Sequence, residues 1–300
     1  MDREFNMNQG KQKEAFGYLL ITFFFFGSTY VAGKLIANAI PPAFVAAIRC
    51  ILALVPLGLM SKKYWHLTID HQDKKMLFFI GFLAYFLNIH LIQLGIKLTG
   101  ASVAALVNSL TPVAVIFFAA LILHEKITPL NCLCLVLAVA GTAVITGTAN
   151  GQGEIYGIIA VLGGVCSFSA ASVFMRSLTS KYPPILVTFY GMLVGAVLNI
   201  PVTVYMVATV PVVINPLLIG TLLWLSFVGA GLAQFTWAKC LSMLPASTCS
   251  LFYPLQAVFA AILGALILGE QFTTSFFVGL LLISADIIIS TRETAKGTKK

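Results

Sequence analysis

The fold of this chain is decided by a stretch of sequence that is written twice. Residues 101–128 read ASVAALVNSLTPVAVIFFAALILHEKIT, and residues 246–273 read ASTCSLFYPLQAVFAAILGALILGEQFT. The two stretches align without a gap at an offset of 145 residues, and 11 of their 28 positions are identical. The identities include Glu125 and Glu270 near the end of each copy. A repeat at this distance indicates that the two halves of the chain share one architecture.

The composition places the chain in a lipid bilayer. Of its 300 residues, 59% are hydrophobic and only 9% are charged, whereas a soluble domain usually carries about 25% charged residues. The net charge of +8 does not indicate nucleic-acid binding, because the basic residues lie at the chain ends and in short loops rather than on one face. We therefore expect a multi-pass membrane protein with no nucleic-acid partner.

Ten membrane spans are expected from the lengths of the apolar runs. A helix that crosses the bilayer core needs about 20 apolar residues. Runs of that length predict ten spans, numbered here in chain order: one (16–36), two (42–60), three (75–96), four (102–123), five (130–148), six (155–177), seven (184–207), eight (216–238), nine (247–268) and ten (274–291). The predicted fold class is all-α.

Lys and Arg residues set the expected orientation, because they are enriched in cytoplasmic loops. With the N-terminus inside, all 18 except Lys34, Lys97 and Arg49 fall on the inner side. Both termini are then cytoplasmic, in the plasma or inner cell membrane. The two copies, spans four and nine, are offset by five spans, and because five is odd the second copy crosses in the opposite direction. This predicts two inverted five-helix repeats. The expected segments are a cytoplasmic N-terminal segment (1–15), the first repeat (16–148), the second repeat (155–291) and a basic tail (292–300).

Several short features accompany the repeat: Gly27-Ser28 in span one, Pro41-Pro42 and then Arg49 in span two, Pro112 and Pro254 in spans four and nine, and a Thr after each repeated Glu. With these features the chain resembles the ten-helix, EamA-type branch of the drug/metabolite transporter superfamily. The resemblance implies metabolite transport, commonly export, through a cavity surrounded by spans one, three, four, six, eight and nine. Spans two, five, seven and ten would be peripheral, so a structural role is expected for Arg49. Unlike the small multidrug-resistance relatives, span one has no acidic residue in its interior.

Polar side chains inside the spans mark the candidate substrate path, because they are costly in lipid unless they are paired or face a wet cavity. They recur at helical spacing on single faces of spans three, four and eight, and span nine adds two at positions equivalent to those of span four. The predicted substrate-binding residues are His90, Gln93, Asn108, Thr111, Gln234, Trp237, Tyr253 and Gln256. Phe26 and Tyr30 are candidates for apolar walls. His90 is also a candidate for proton coupling, because its side chain titrates near neutral pH. The alternative for each residue is a hydrogen bond between helices.

The sequence therefore predicts a secondary transporter, and an exporter of a small metabolite such as an amino acid or related compound. No GxxxxGK[ST] loop occurs, so ATP is not expected to drive it. No cofactor or metal is expected, because the six cysteines form no CxxC pair and lie in apolar segments. Two alternatives stay open. One is an integral-membrane transferase that uses the cluster HLTIDHQD (66–73), which is otherwise a solvated loop. The other is a passive channel.

Cysteine labelling tests the topology. In whole cells, a membrane-impermeant thiol reagent is expected to label cysteines introduced at Gly151 and Val213, which the positive-inside rule places outside. Cysteines at Lys62 and Lys181 are expected to react only after the membrane is opened. Labelling of position 181 from outside would contradict the inversion.

Overall fold

The computed structural model describes residues 9–124, 152–212 and 214–270, with Val136, Thr274 and Val278 as isolated positions. This part of the chain is all-helical. Eight of its helices are long and apolar enough to cross a membrane: Glu14–Ile36, Pro42–Tyr64, His71–Leu98, Ala101–Leu123, Gly153–Thr179, Pro184–Thr209, Pro216–Met243 and Ala246–Leu268. They correspond to predicted spans one to four and six to nine, with bounds shifted by a few residues. Predicted spans five and ten lie outside the described residues, apart from those isolated positions.

Spans three and eight each change from a regular α-helix to a wider π-helical segment in mid-membrane. In span three the wide segment is Gly81–Leu87, between α-helical Ile80 and Asn88. In span eight it is Trp224–Leu232, and the α-helix resumes at Ala233. The two segments occupy equivalent positions at the repeat offset. A π-helical turn rotates the residues that follow it relative to a straight helix, and such turns are frequent at functional sites.

Spans four and nine are each broken in the middle. Span four consists of helices Ala101–Asn108 and Thr111–Leu123. Span nine consists of Ala246–Ser250 and Pro254–Leu263, followed by the wide turn Gly264–Leu268. In both spans a proline lies within the first two residues of the second helix, where it loses no helical hydrogen bond. The residues just before each second helix therefore form a turn that ends the first helix, and no proline lies in the interior of a helix at these breaks.

The repeated stretch ends with the same backbone conformation in both copies. His124 has φ 56° and Gly269 has φ 64°, and these are the only two described residues in the left-handed region. The two positions are equivalent at the repeat offset. A left-handed residue terminates a helix by turning the chain away from its axis. The repeat seen in the sequence is thus also a repeat of backbone conformation in spans four and nine.

Spans four and nine pack against each other in antiparallel fashion. The first helix of span four contacts the second helix of span nine, and the first helix of span nine contacts the second helix of span four. At one end, Glu270 accepts hydrogen bonds from the backbone N–H of Ala101, at 3.1 Å, and from the Ser102 hydroxyl. The carboxylate thereby caps the positive N-terminal end of span four. We call this contact the Glu270–Ser102 latch; it lies at the predicted outer end of the bundle.

Span one lies at the centre of the bundle, where it contacts spans three, four, eight and nine. Spans two and seven pack together, as do spans three and six. Small residues allow the closest approaches, as is usual for helices in lipid. At Gly27, a Cβ atom would lie 2.7 Å from the Gln256 carbonyl oxygen and 2.8 Å from Phe259 Cβ. Span one can therefore lie against span nine only because position 27 has no side chain.

The substitution Gly27→Ala tests this contact. The added methyl group must push spans one and nine apart, and overpacking of this kind costs about 1–3 kcal/mol. We expect a clear fall in the melting temperature of the purified protein in detergent. The matched control is Gly17→Ala in the same span, where a Cβ meets nothing within 4 Å. Equal melting temperatures for the two variants would contradict the packing described here.

Candidate functional site

A polar cavity lies between spans one, two, three, four, six, eight and nine. Its volume is about 50 Å³, which is room for a few water molecules. Twelve side chains line it: Phe26, Thr29, Tyr30, Arg49, Asn88, Ile89, Ile92, Asn108, Phe168, Gln234, Tyr253 and Gln256. Most of them are at least nine-tenths buried in the bundle. The cavity is therefore an internal site and not a surface groove.

The two structural irregularities of the bundle converge on this cavity. Asn88 and Gln234 follow directly on the π-helical segments of spans three and eight. Asn108 and Tyr253 lie at the breaks of spans four and nine. Binding sites of membrane transporters are typically formed by such discontinuous helices, because irregular backbone is tolerated only where it lines a cavity.

Arg49 contributes the only ionisable cation of the lining. Its side chain is 6% exposed, and its Nε atom has no hydrogen-bond partner among the described residues. The guanidinium fits against span eight because position 229 is a glycine: a Cβ there would lie 3.2 Å from Arg49 Nη2. Within the described part of the chain, no carboxylate lies within 4 Å of Arg49. Among the described residues, the cavity therefore carries a positive charge without a neighbouring counter-ion.

Two glutamine side chains bring further unpaired polar atoms to the cavity. Gln234 Oε1 and Gln256 Nε2 are buried and have no hydrogen-bond partner among the residues described. One is an acceptor and the other a donor. Asn88, by contrast, donates to the Gly164 carbonyl at 2.9 Å. Within the lining, the buried unpaired atoms are thus those of Arg49 and the two glutamines. Four further unpaired atoms of the described residues lie outside the lining, on Tyr85, His90, Gln93 and Asn199.

Aromatic rings close the cavity toward the predicted inner end. We call this group the aromatic floor; it comprises Phe23, Phe26, Phe168, Trp237 and Tyr253. Ring centroids in the group lie 5.0 Å apart for Phe23 and Tyr253, and 5.5 Å apart for Trp237 and Tyr253. Most of the pairs are edge-to-face, which is a favourable aromatic geometry. The floor separates the polar groups of the cavity from the predicted cytoplasmic ends of spans one, eight and nine.

The opposite side of the cavity is closed by small and aliphatic residues. The first helix of span four and the second helix of span nine pack there with Val31, Ile96 and Val161. The Glu270–Ser102 latch lies beyond this layer. Packed side chains therefore lie on both sides of the cavity in the described part of the chain.

The structure brings together four of the eight predicted substrate-binding residues. Asn108, Gln234, Tyr253 and Gln256 all line the cavity. Trp237 lies directly behind them in the aromatic floor, and its Nε1 donates to Ser172 Oγ at 3.2 Å. Phe26 and Tyr30, the predicted apolar walls, line the cavity as well.

The structure does not bring His90, Gln93 or Thr111 into the lining. Thr111 donates to the Asn108 carbonyl at 2.6 Å, which stabilises the break in span four. His90 Nδ1 donates to the Phe86 carbonyl of its own span at 2.8 Å. Gln93 packs against span one, where a Cβ at Gly33 would lie 3.0 Å from its Oε1. Gln93 lies one turn beyond the cavity-lining Ile89, toward the predicted outer end.

Sequence reasoning missed Arg49, Thr29, Asn88 and Phe168 as lining residues. The expectation that Arg49 has a structural role in a peripheral span differs from its observed place beside Thr29 at the cavity. A signal for Arg49 was present, because it is a lone ionisable residue in an apolar span, and such residues mark functional sites. Asn88 gave a weaker signal of the same kind. Phe168 gave none, since an aromatic residue in a membrane span has no distinctive pattern.

The cluster at 66–73 is not a simple solvated loop. Asp73 is buried and pairs with Lys181 at 3.1 Å, and it accepts a hydrogen bond from the Tyr182 hydroxyl at 3.0 Å. Tyr182 in turn accepts from the Asp70 backbone N–H. These contacts join the start of span three to the connection between spans six and seven. No group of three or more potential metal ligands occurs in the described residues.

A bundle of membrane-spanning helices with a polar cavity at its centre is the architecture of a membrane transport protein. The chain belongs to the EamA-like transporter family, which it matches twice, over residues 15–147 and 155–292. The resemblance to the drug/metabolite transporter superfamily is thereby confirmed. The protein is a multi-pass membrane transporter.

Similar proteins span nearly the whole chain. One is named an uncharacterized transporter of Archaeoglobus fulgidus; it is 26% identical over 92% of this chain and 98% of its own length. Another, of the same name, from Clostridium kluyveri is 24% identical over 96% of this chain and 97% of its own length. The uncharacterized transporter YetK of Bacillus subtilis is 24% identical over 93% and 87% of the two chains. A solved crystal structure aligns with a TM-score of 0.71 at 18% identity, covering 92% of this chain and 98% of that one; at this identity the likeness shows the fold alone.

Melting temperatures distinguish a cavity from hydrogen bonds that hold helices together. Gln234→Met and Gln256→Met each remove a buried atom that lacks a partner, so we expect both variants to melt near or above the wild-type temperature. Ser172→Ala is the contrasting variant, because it leaves the buried Trp237 Nε1 without its acceptor at a cost of about 1–3 kcal/mol. Glutamine variants that melt as low as Ser172→Ala would show that these amides bridge helices.

Proposed function

We propose that the protein is a secondary transporter that moves a small metabolite by alternating access around the central cavity. The observation that carries the proposal is the position of the cavity, between the breaks of the antiparallel spans four and nine. Its substrate-binding residues are Arg49, Asn108, Gln234, Tyr253 and Gln256. Movement of one half of the bundle against the other would expose these residues to each side of the membrane in turn.

The proposed complete fold of the protein has ten spans in two inverted five-helix repeats, over 16–148 and 155–291. Both termini lie in the cytoplasm in this proposal. Supporting evidence comes from four pairs of equivalent features. They are the repeated sequence, the two breaks, the two π-helical segments and the two left-handed residues. Antiparallel packing of spans four and nine is the arrangement that such an inversion requires.

The proposed cargo is a small polar molecule with a flat or apolar part, such as an amino acid or related compound. The proposed direction of transport is export. The polar atoms of the cavity suit hydrogen-bonding groups, and the aromatic floor suits an apolar surface. A cavity of about 50 Å³ is smaller than typical ligand pockets, so binding requires the bundle to open. Proton coupling through His90 stays a prediction without support from the cavity geometry.

Side-chain packing around the cavity favours a transporter over a passive channel. A channel conducts through a continuous path, whereas here packed residues lie on both sides of the polar site. A transferase would place its reactive groups at the membrane surface, and there Asp73 is engaged in an ion pair. Transport by a carrier saturates with substrate concentration and stops when one of its ends is locked.

Cross-linking of the Glu270–Ser102 latch tests alternating access. The native cysteines are first replaced, and new cysteines are introduced at positions 102 and 270. A short bifunctional thiol reagent then joins the two new cysteines. The protein is reconstituted in vesicles with a defined mixture of amino acids and related metabolites, and the vesicle contents are measured by mass spectrometry. We expect saturable accumulation of one compound or a few, its loss on cross-linking, and its recovery when a cleavable cross-link is reduced.

The matched control introduces cysteines at Ser102 and Ser247, which occupy equivalent positions in the two copies. These residues lie at opposite ends of the bundle, about 30 Å apart by bilayer thickness, so no cross-link should form between them. Accumulation that continues after the latch is fully cross-linked would contradict alternating access. Vesicles that accumulate nothing from the mixture would contradict the proposed function.

A further inference from the structure

The residues that the structure describes leave the charge of the cavity unbalanced, and this imbalance constrains what the cavity binds. Arg49 is a permanent cation, because the guanidinium does not deprotonate in proteins. It is 6% exposed and lies in the membrane interior. None of the described acidic residues lines the cavity, and none has a carboxylate within 4 Å of Arg49. A buried charge without a partner is strongly unfavourable, so an anion bound beside Arg49 would lower the free energy of the bundle.

We propose that the transported compound carries a carboxylate that binds Arg49 as the missing counter-ion. This inference rests on the proposed function and specifies its cargo. A guanidinium offers a planar pair of N–H donors that matches the two oxygens of a carboxylate. The unpaired Nε of Arg49 is one of those donors.

The two glutamines extend the match to the rest of the compound. Gln256 Nε2 is an unpaired donor and adds a second hydrogen bond for an anionic or carbonyl oxygen. Gln234 Oε1 is an unpaired acceptor and requires a donor on the cargo, such as an ammonium or hydroxyl group. An apolar part then rests on the aromatic floor. A compound with a carboxylate and a nearby N–H or O–H group satisfies all three residues at once.

The same arrangement excludes other charge types. A simple cation would be repelled by Arg49 in a site of low dielectric constant. A phosphate monoester carries close to two negative charges near neutral pH, and the lining holds a single cation. The cavity therefore selects compounds with one carboxylate over amines and over dianionic phosphates.

Stability separates this role from a structural role of Arg49. If Arg49 holds helices together, its replacement lowers the melting temperature. If it awaits a cargo carboxylate, Arg49→Gln removes an uncompensated charge, and the melting temperature stays level or rises. The control is Arg176→Gln, which removes an equal charge from a guanidinium that lies outside the cavity and donates to the Leu241 carbonyl.

The experiment measures the melting temperature of the full-length purified protein with sodium benzoate, benzylammonium chloride or sodium chloride at equal ionic strength. Benzoate and benzylammonium share a ring and differ in charge. We expect benzoate to stabilise the wild type and Arg176→Gln, because a ligand that binds only the folded state raises its stability. The apparent affinity for benzoate should be at least about tenfold weaker in Arg49→Gln. Arg49→Lys, which keeps the charge but not the planar pair of donors, should be intermediate. Benzylammonium should act no differently from sodium chloride.

Three results overturn the inference. They are an Arg49→Gln variant that melts as low as Arg176→Gln or lower, the same response to benzoate with and without Arg49, and the absence of any benzoate response in the wild type. The vesicle assay keeps this failure distinct from failure of the proposed function. Vesicles that accumulate only amines or neutral compounds, and lose that accumulation on cross-linking of the latch, would refute the carboxylate and retain the transporter.

Discussion

Backbone hydrogen bonding in lipid is the constraint on which the structure depends. The bilayer core has no water to pair with free N–H and C=O groups, so a spanning segment must be helical unless protein surrounds it or a cavity adjoins it. Spans four and nine break this regularity at Ser109–Leu110 and Leu251–Tyr253. Both breaks occur beside the cavity, where hydroxyl groups such as that of Thr111 take up freed carbonyls. The irregular backbone and the polar site are therefore one feature.

Close packing of span one fixes the position of this feature. Gly27 allows span one to touch span nine, and Gly229 leaves space on span eight for Thr29 and Arg49. Since small residues set the distances between helices in lipid, these two glycines determine the width of the cavity. The π-helical segments of spans three and eight then direct Asn88 and Gln234 into it. The cavity walls formed by spans one, three, eight and nine are thus explained by particular glycines and π-helical segments in their sequences.

The charge of the site connects structure to function. Three buried side chains with unpaired atoms, one of them a cation, meet at this one cavity, although each unpaired group opposes folding. Functional sites commonly retain such groups at a cost in stability. The aromatic floor and the outer aliphatic layer pack on either side of them, and apolar surroundings strengthen electrostatic interactions.

The sequence by itself determined the membrane class, the positions of the eight described spans and the repeat of spans four and nine. These follow from local and additive properties, namely hydropathy over about 20 residues and identity at a fixed offset. Only the tertiary structure decided which polar residues meet. Helical spacing placed His90 and Gln93 on plausible faces of span three, but it does not say which neighbour each face meets. A π-helical segment changes the facing of every residue beyond it. For the same reason Arg49 reached the cavity from a span expected at the periphery: side-chain position depends on packing between helices that are distant in the chain.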